Sequence, residues 1–120
     1  MSDYKYDAVI KAVHDGDTVT VDVDLGFETW VHNMKLRLYG INAPELITSE
    51  GKVAQSFLIQ QTPVGSKVVI ETVKDKQEKY GRWLATIMIP ALTGGLLNVN
   101  NIMVSSGHAK AYFGVGPKPV

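Results

Sequence analysis

Only two arginines stand in this chain, Arg37 and Arg82, and its other basic charges are ten lysines. Arginine differs from lysine in its planar, forked, permanently charged head, which suits two-point contact with a phosphate. Arg37 lies in Arg37-Leu38-Tyr39-Gly40-Ile41-Asn42-Ala43-Pro44-Glu45, and Arg82 in Lys79-Tyr80-Gly81-Arg82. Each sits beside a glycine turn or a polar strand end, which suggests a phosphate site. Glu45 follows Pro44 on a stiffened turn, where a carboxylate near a phosphate and a cation could orient or deprotonate water. Asp17 and Asn42 offer hard oxygen atoms that, with backbone carbonyls and water, could surround Ca²⁺. No EF-hand spacing supports that metal reading. Lys79 and Tyr80 could touch a terminal phosphate and stack on a base or sugar. Each of these residues also has a plainer reading: Asp15 and Asp17 as turn formers, Glu45 as a solvated carboxylate, Lys79 and Tyr80 as an exposed loop.

The elements that must hold these residues are mostly strands. Residues 8–13 are mostly apolar and partly β-branched, and His14-Asp15-Gly16-Asp17 reads as a tight turn in which Gly16 is free to take positive φ. Residues 18–24 alternate strictly, which predicts an antiparallel strand with Val19, Val21 and Val23 inward. A longer strand region covers 28–41, with a slip at His32-Asn33 that suggests a bulge, and Pro44 stops it. A helix is expected over 49–61, capped by Ser49, with Val53, Phe57 and Leu58 on its packed face. Strands follow over 66–73 and 83–89, separated by a polar loop at 74–79. Residues 98–106 read as a second helix, capped by Asn98 and stopped by Gly107. Residues 109–113 read as a short extended segment, and 114–120 as a loose tail. Trp30 and Trp83 are assigned to packing. The pattern predicts one mainly β domain over residues 1–120, a five-stranded barrel of the OB type with two short helices.

The totals narrow the chemistry. Twelve basic and twelve acidic side chains balance, so any nucleic-acid contact must be local. The absence of cysteine excludes disulfides and thiolate metal sites. His14, His32 and His108 lack the close pairing of a zinc motif. The first residues lack the apolar core of a signal peptide, and no apolar run approaches membrane-spanning length. A cytoplasmic, monomeric protein with no membrane contact is the expectation, with secretion of a processed form as the alternative.

The motifs His14-Asp15-Gly16-Asp17-Thr18-Val19, Arg37 to Glu45, Lys79-Tyr80-Gly81-Arg82-Trp83-Leu84-Ala85 and the weaker stretch Asn101 to Tyr112 together resemble the staphylococcal nuclease (thermonuclease) family. The likeness spans roughly residues 6–113 in order and spacing. It implies an OB barrel and Ca²⁺-dependent cleavage of DNA or RNA that leaves 3′-phosphate ends. By that match Asp17 is a calcium ligand, Asn42 takes the place of a second ligand that is normally Asp, and Ala43 offers its carbonyl. Glu45 acts on the attacking water, Arg37 and Arg82 grip the phosphate, and Lys79, Tyr80 and Tyr112 hold the nucleotide. Asn42 removes a carboxylate from the metal site and predicts a weak one. The chain also ends soon after Phe113, without the long C-terminal helix of better-known members. Two other functions compete: a silent nucleic-acid-binding barrel and a protein-interaction module. Asp17, Arg37, Glu45 and Arg82 together favour the nuclease, because a binding module has no need of a carboxylate between two arginines.

Overall fold

The computed structural model describes residues 4–77 and 81–112, with the backbone alone for 74–77. In chain order the elements are β1 (Lys5–Asp15), β2 (Thr18–Asp24), β3 (Trp30–Leu38), β4 (Ile41–Asn42), α1 (Ser49–Gln61), β5 (Lys67–Gln77), β6 (Trp83–Pro90), β7 (Leu96–Asn98), α2 (Val99–Ser105) and β8 (Lys110–Ala111). Strands β1 and β2 form the expected hairpin, β3 pairs with β2, β5 with β1, and β6 with β5, all antiparallel. A parallel pairing of β3 with β6, from Leu36↔Trp83 to Leu38↔Ala85, closes the ring. The result is a closed, mixed, five-stranded barrel with two helices, as in an OB fold. The short β7 extends β6, and β4 pairs with β8 outside the ring.

The alternation in β2 explains the core. Val19, Val21 and Val23 are buried, against Ile10, Leu36, Leu38, Ile70 and Ile87. The expected bulge is also present. Between Val21↔Met34 and Val23↔Val31 the register shifts, and Asn33 takes a φ of 59°. Asp22 holds this bulge by accepting from the Asn33 N–H at 2.9 Å and pairing with His32 Nδ1 at 3.1 Å.

Several expectations shift. Trp30 is 42% exposed at the start of β3, whereas Trp83 packs against the core as assigned. On α1 it is Ala54, not Val53, that is buried beside Leu58; Val53 faces solvent. The cap of α1 is Thr48, whose Oγ1 accepts from the Gly51 N–H at 2.9 Å. A hydroxyl one residue earlier outcompetes Ser49, whose Oγ instead donates to Glu50. Strand β5 runs on to Gln77 through a stretch expected as loop, and β7 is a short strand just ahead of α2 that the sequence reading left unassigned. The cap at Asn98 and the left-handed Gly107 after α2 agree with the sequence reading.

Asn100 ties α2 to the barrel. Its side chain is buried and fully satisfied: Oδ1 accepts from the Ile87 N–H at 3.1 Å, and Nδ2 donates to the carbonyls of Tyr39 at 2.9 Å and Ala85 at 3.1 Å. One amide thus joins α2, β6 and the turn after β3 that leads to Asn42. Asn100→Ala orphans buried backbone groups and leaves a small void, so we expect a loss of about 2–4 kcal/mol. Urea denaturation measures it; a loss below about 1 kcal/mol would remove Asn100 from this role.

Candidate active site

Three backbone segments meet at one end of the barrel: the turn between β1 and β2, the chain from β3 to the start of α1, and the start of β6. Small residues allow them to meet. Gly16 does not adopt positive φ, contrary to the sequence reading. Its role is space, because a Cβ there would lie 2.7 Å from Ala43 Cβ and 2.8 Å from Ala54 Cβ. Gly40, with a φ of 80°, makes the bend between β3 and β4. Gly51 lets the first turn of α1 lie on the Pro44-Glu45 backbone, where any Cβ would collide with the Glu45 carbonyl. That carbonyl accepts from both the N–H and the Oγ1 of Thr48, at 3.0 and 2.7 Å. The backbone carrying Glu45 is therefore braced by a cap and a steric contact together.

Asp17 and Arg37 form the centre. Both are largely buried, and Arg37 Nη1 lies 3.3 Å from Asp17 Oδ2. Nη1 also donates to the carbonyls of Leu38 at 3.1 Å and Ile41 at 2.9 Å, while Nη2 donates to Asn42 Oδ1 at 3.3 Å. Asp17 Oδ2 accepts from the Ala43 N–H at 2.8 Å, and Oδ1 from Thr18 Oγ1 at 3.1 Å. Among the described residues the Arg37 Nε–H and one Nη2 N–H meet no acceptor. One end of the fork is anchored by the protein and the other is left to a ligand.

Arg82 joins through Thr18. Its Nη1 donates to Thr18 Oγ1 at 3.2 Å, and the Thr18 hydroxyl donates onward to Asp17. Alternation alone gave Thr18 to the polar face of β2, yet it is only 6% exposed. Its place in the Asp-Gly-Asp-Thr turn was the available signal. Glu45 is exposed two residues beyond Ala43, and its carboxylate has no hydrogen bond or ion pair among the described residues. Tyr112 is half-buried beside this loop, its N–H donating to the Gly40 carbonyl at 2.8 Å. Lys79 and Tyr80 lie outside the described residues.

The arrangement does not fit a bound divalent cation. Among the described residues no group of three His, Cys, Asp or Glu side chains is placed to hold a metal. The two side-chain oxygens expected to coordinate it, on Asp17 and Asn42, both face the Arg37 guanidinium. Ala43 turns its N–H toward Asp17. A dication about 4 Å from a guanidinium is opposed by roughly 8 kcal/mol gross at an effective dielectric near 20.

Burial pushes the Asp17 carboxyl up to about 6, assisted by a hydrogen bond with Asp15 and opposed by the nearby Arg37 charge. The direction shows that desolvation outweighs the ion pair. A raised folded-state value means that the protonated form favours folding. This contribution is complete below the unfolded value of 3.8 and is lost as pH rises through about 6. An asparagine at 17 mimics the protonated acid and removes the dependence. The stability of Asp17→Asn relative to the parent should therefore increase by on the order of 2–3 kcal/mol between about pH 4 and pH 8. Urea titrations across that range test it, and a pH-independent difference would show that Asp17 titrates normally.

The family described as staphylococcal nuclease homologue matches residues 35–119, a stretch holding both arginines, Asn42, Glu45 and the Lys79-Tyr80-Gly81-Arg82 motif. Asp17 and Thr18 precede it and reach these residues through the closed barrel. An uncharacterized protein of Methanocaldococcus jannaschii is 31% identical over 134 aligned positions, covering 92% of this chain. The chain spans about 60% of that relative's length. With the fold and the paired arginines, the match over 35–119 makes the chain a member of the staphylococcal nuclease homologue family.

Proposed function

We propose that this protein hydrolyses phosphodiester bonds of DNA or RNA. The observation that carries the reading is the half-anchored fork of Arg37: three protein oxygens hold Nη1, and an edge of N–H groups is left for a phosphate. Arg82, linked through Thr18, supplies a second planar cation to the same end of the barrel. Attack on a phosphodiester gathers negative charge on the oxygens around phosphorus, and preformed guanidinium donors stabilise it without reorganising at that moment. Glu45, solvated and free of competing partners among the described residues, would orient or deprotonate the attacking water. Its proton-accepting oxygen stands on a braced backbone, so its freedom is confined to its own side-chain torsions. The 5′-oxygen would leave, giving 3′-phosphate ends, and Tyr112 would lie along the nucleotide. No step here passes through a metal. The calcium expected from the family would enter between Asp17 and Asn42 only against Arg37. The protein would act as a single copy.

Fluorescent single-stranded DNA and RNA, incubated with Ca²⁺, Mg²⁺, Mn²⁺ or EDTA, test the activity. We expect cleavage with 3′-phosphate products. Arg37→Lys, Arg82→Lys and Glu45→Gln should each lower the rate by about 10²–10⁴-fold while circular dichroism stays native. Binding without cleavage under every condition would leave a silent nucleic-acid module instead.

A further inference from the structure

The side chain that grips phosphate in the proposed reaction also occupies the ground a cation would need. Arg37 Nη2 is 3.3 Å from Asn42 Oδ1, and Nη1 is 3.3 Å from Asp17 Oδ2. These two oxygens stand on different segments, β4 and the β1–β2 turn, and the guanidinium bridges them. Each has further constraints. Asp17 Oδ2 already accepts from the Ala43 N–H, and Oδ1 from Thr18, so the carboxylate has little free coordination capacity. Asn42 brings an oxygen but no charge, so nothing on that side favours a dication over the resident guanidinium.

We propose that Arg37 and a divalent cation exclude one another: the guanidinium is the resident counter-ion of Asp17 and hydrogen-bond donor to Asn42, and a metal binds there only by displacing it. The anchors at the Leu38 and Ile41 carbonyls set how firmly the guanidinium stays. An aspartate in this position would have added a charge attracting either cation. With an amide, the fixed and already desolvated guanidinium has the advantage over an ion that must shed its water. The inference concerns the apo chain and does not require that it cleave anything, so failure of the nuclease assay leaves it standing.

Calorimetric titration with CaCl₂ at neutral pH, on the whole chain and on Arg37→Gln, tests the exclusion. Glutamine keeps a polar side chain but removes the competing charge. The expected result is weak or undetectable binding by the parent and at least about tenfold tighter binding by the folded variant. A folded variant that binds no tighter overturns the proposal, as does saturable parent binding that the variant merely matches. Should Arg37→Gln fail to fold, nitrogen-15 NMR of the parent decides. As Ca²⁺ is raised to tens of millimolar, exclusion requires that the Arg37 side-chain resonances shift in step with the Asn42 amide. Asn42 shifting while Arg37 stays fixed would show both cations accommodated together and sink the idea. If neither moves, Arg37→Lys is titrated in its place. A lysine head cannot span both oxygens. Tighter binding by that variant upholds the proposal and unchanged binding rejects it.

Discussion

The candidate site depends on one buried ion pair. Asp17 is buried against the Ala43 backbone, and its charge is tolerated because the Arg37 guanidinium lies against it. Such a pair is weak evidence for stability, since the cost of desolvating two ions offsets most of their attraction. Its value is in placement. Arg37 gathers the carbonyls at 38 and 41 as well as Asp17 and Asn42 around one guanidinium, which fixes the arrangement of the chain after β3. The loop that carries Glu45 inherits its position from that arrangement. Asp17, pushed up to about 6, measures the strain of the bargain: the carboxylate is charged at neutral pH in a place that would rather hold it protonated.

The barrel was legible because its strands announce themselves. Strict alternation over 18–24 named the inward valines, and the slip at His32-Asn33 marked a bulge that Asp22 secures. What escaped was set by tertiary context. Trp30 reads as core by type, but it stands at the first position of β3 and remains exposed. On α1 the apolar stripe favours Val53, whereas close approach to the β1–β2 turn selects the smaller Ala54. Residues 74–77 are polar enough to read as loop, yet pairing with β6 extends the strand to Gln77.

At the site, residue types pointed to Arg37, Asn42 and Arg82, and the motif order pointed to Asp17. The links between them were not visible. Thr18 joins Asp17 to Arg82 across 64 positions of sequence, and no local pattern signals that contact. Gly16 and Gly51 were legible only as turn and helix residues. Their function is to leave room for Ala43 and for the Glu45 carbonyl, which requires knowing what packs on them. Asn100 likewise reads as an ordinary helical polar residue until its three backbone partners are seen.

The parallel pairing of β3 with β6 has a further consequence, for the order in which the molecule is made. Hairpin β1–β2 and its neighbour β3 are close in sequence and can form early, whereas β3 must wait for β6 across a long intervening stretch. Non-local pairings of this kind are slow because chain closure must come before any reward in contacts. Arg37 and Arg82 lie on the two sides of that seam, within one residue of the paired positions. A nascent or partly opened chain can therefore hold the Asp17–Arg37 pair and still lack Arg82. The complete constellation belongs only to the closed barrel, so the chain carries no finished site until the β3–β6 seam is made.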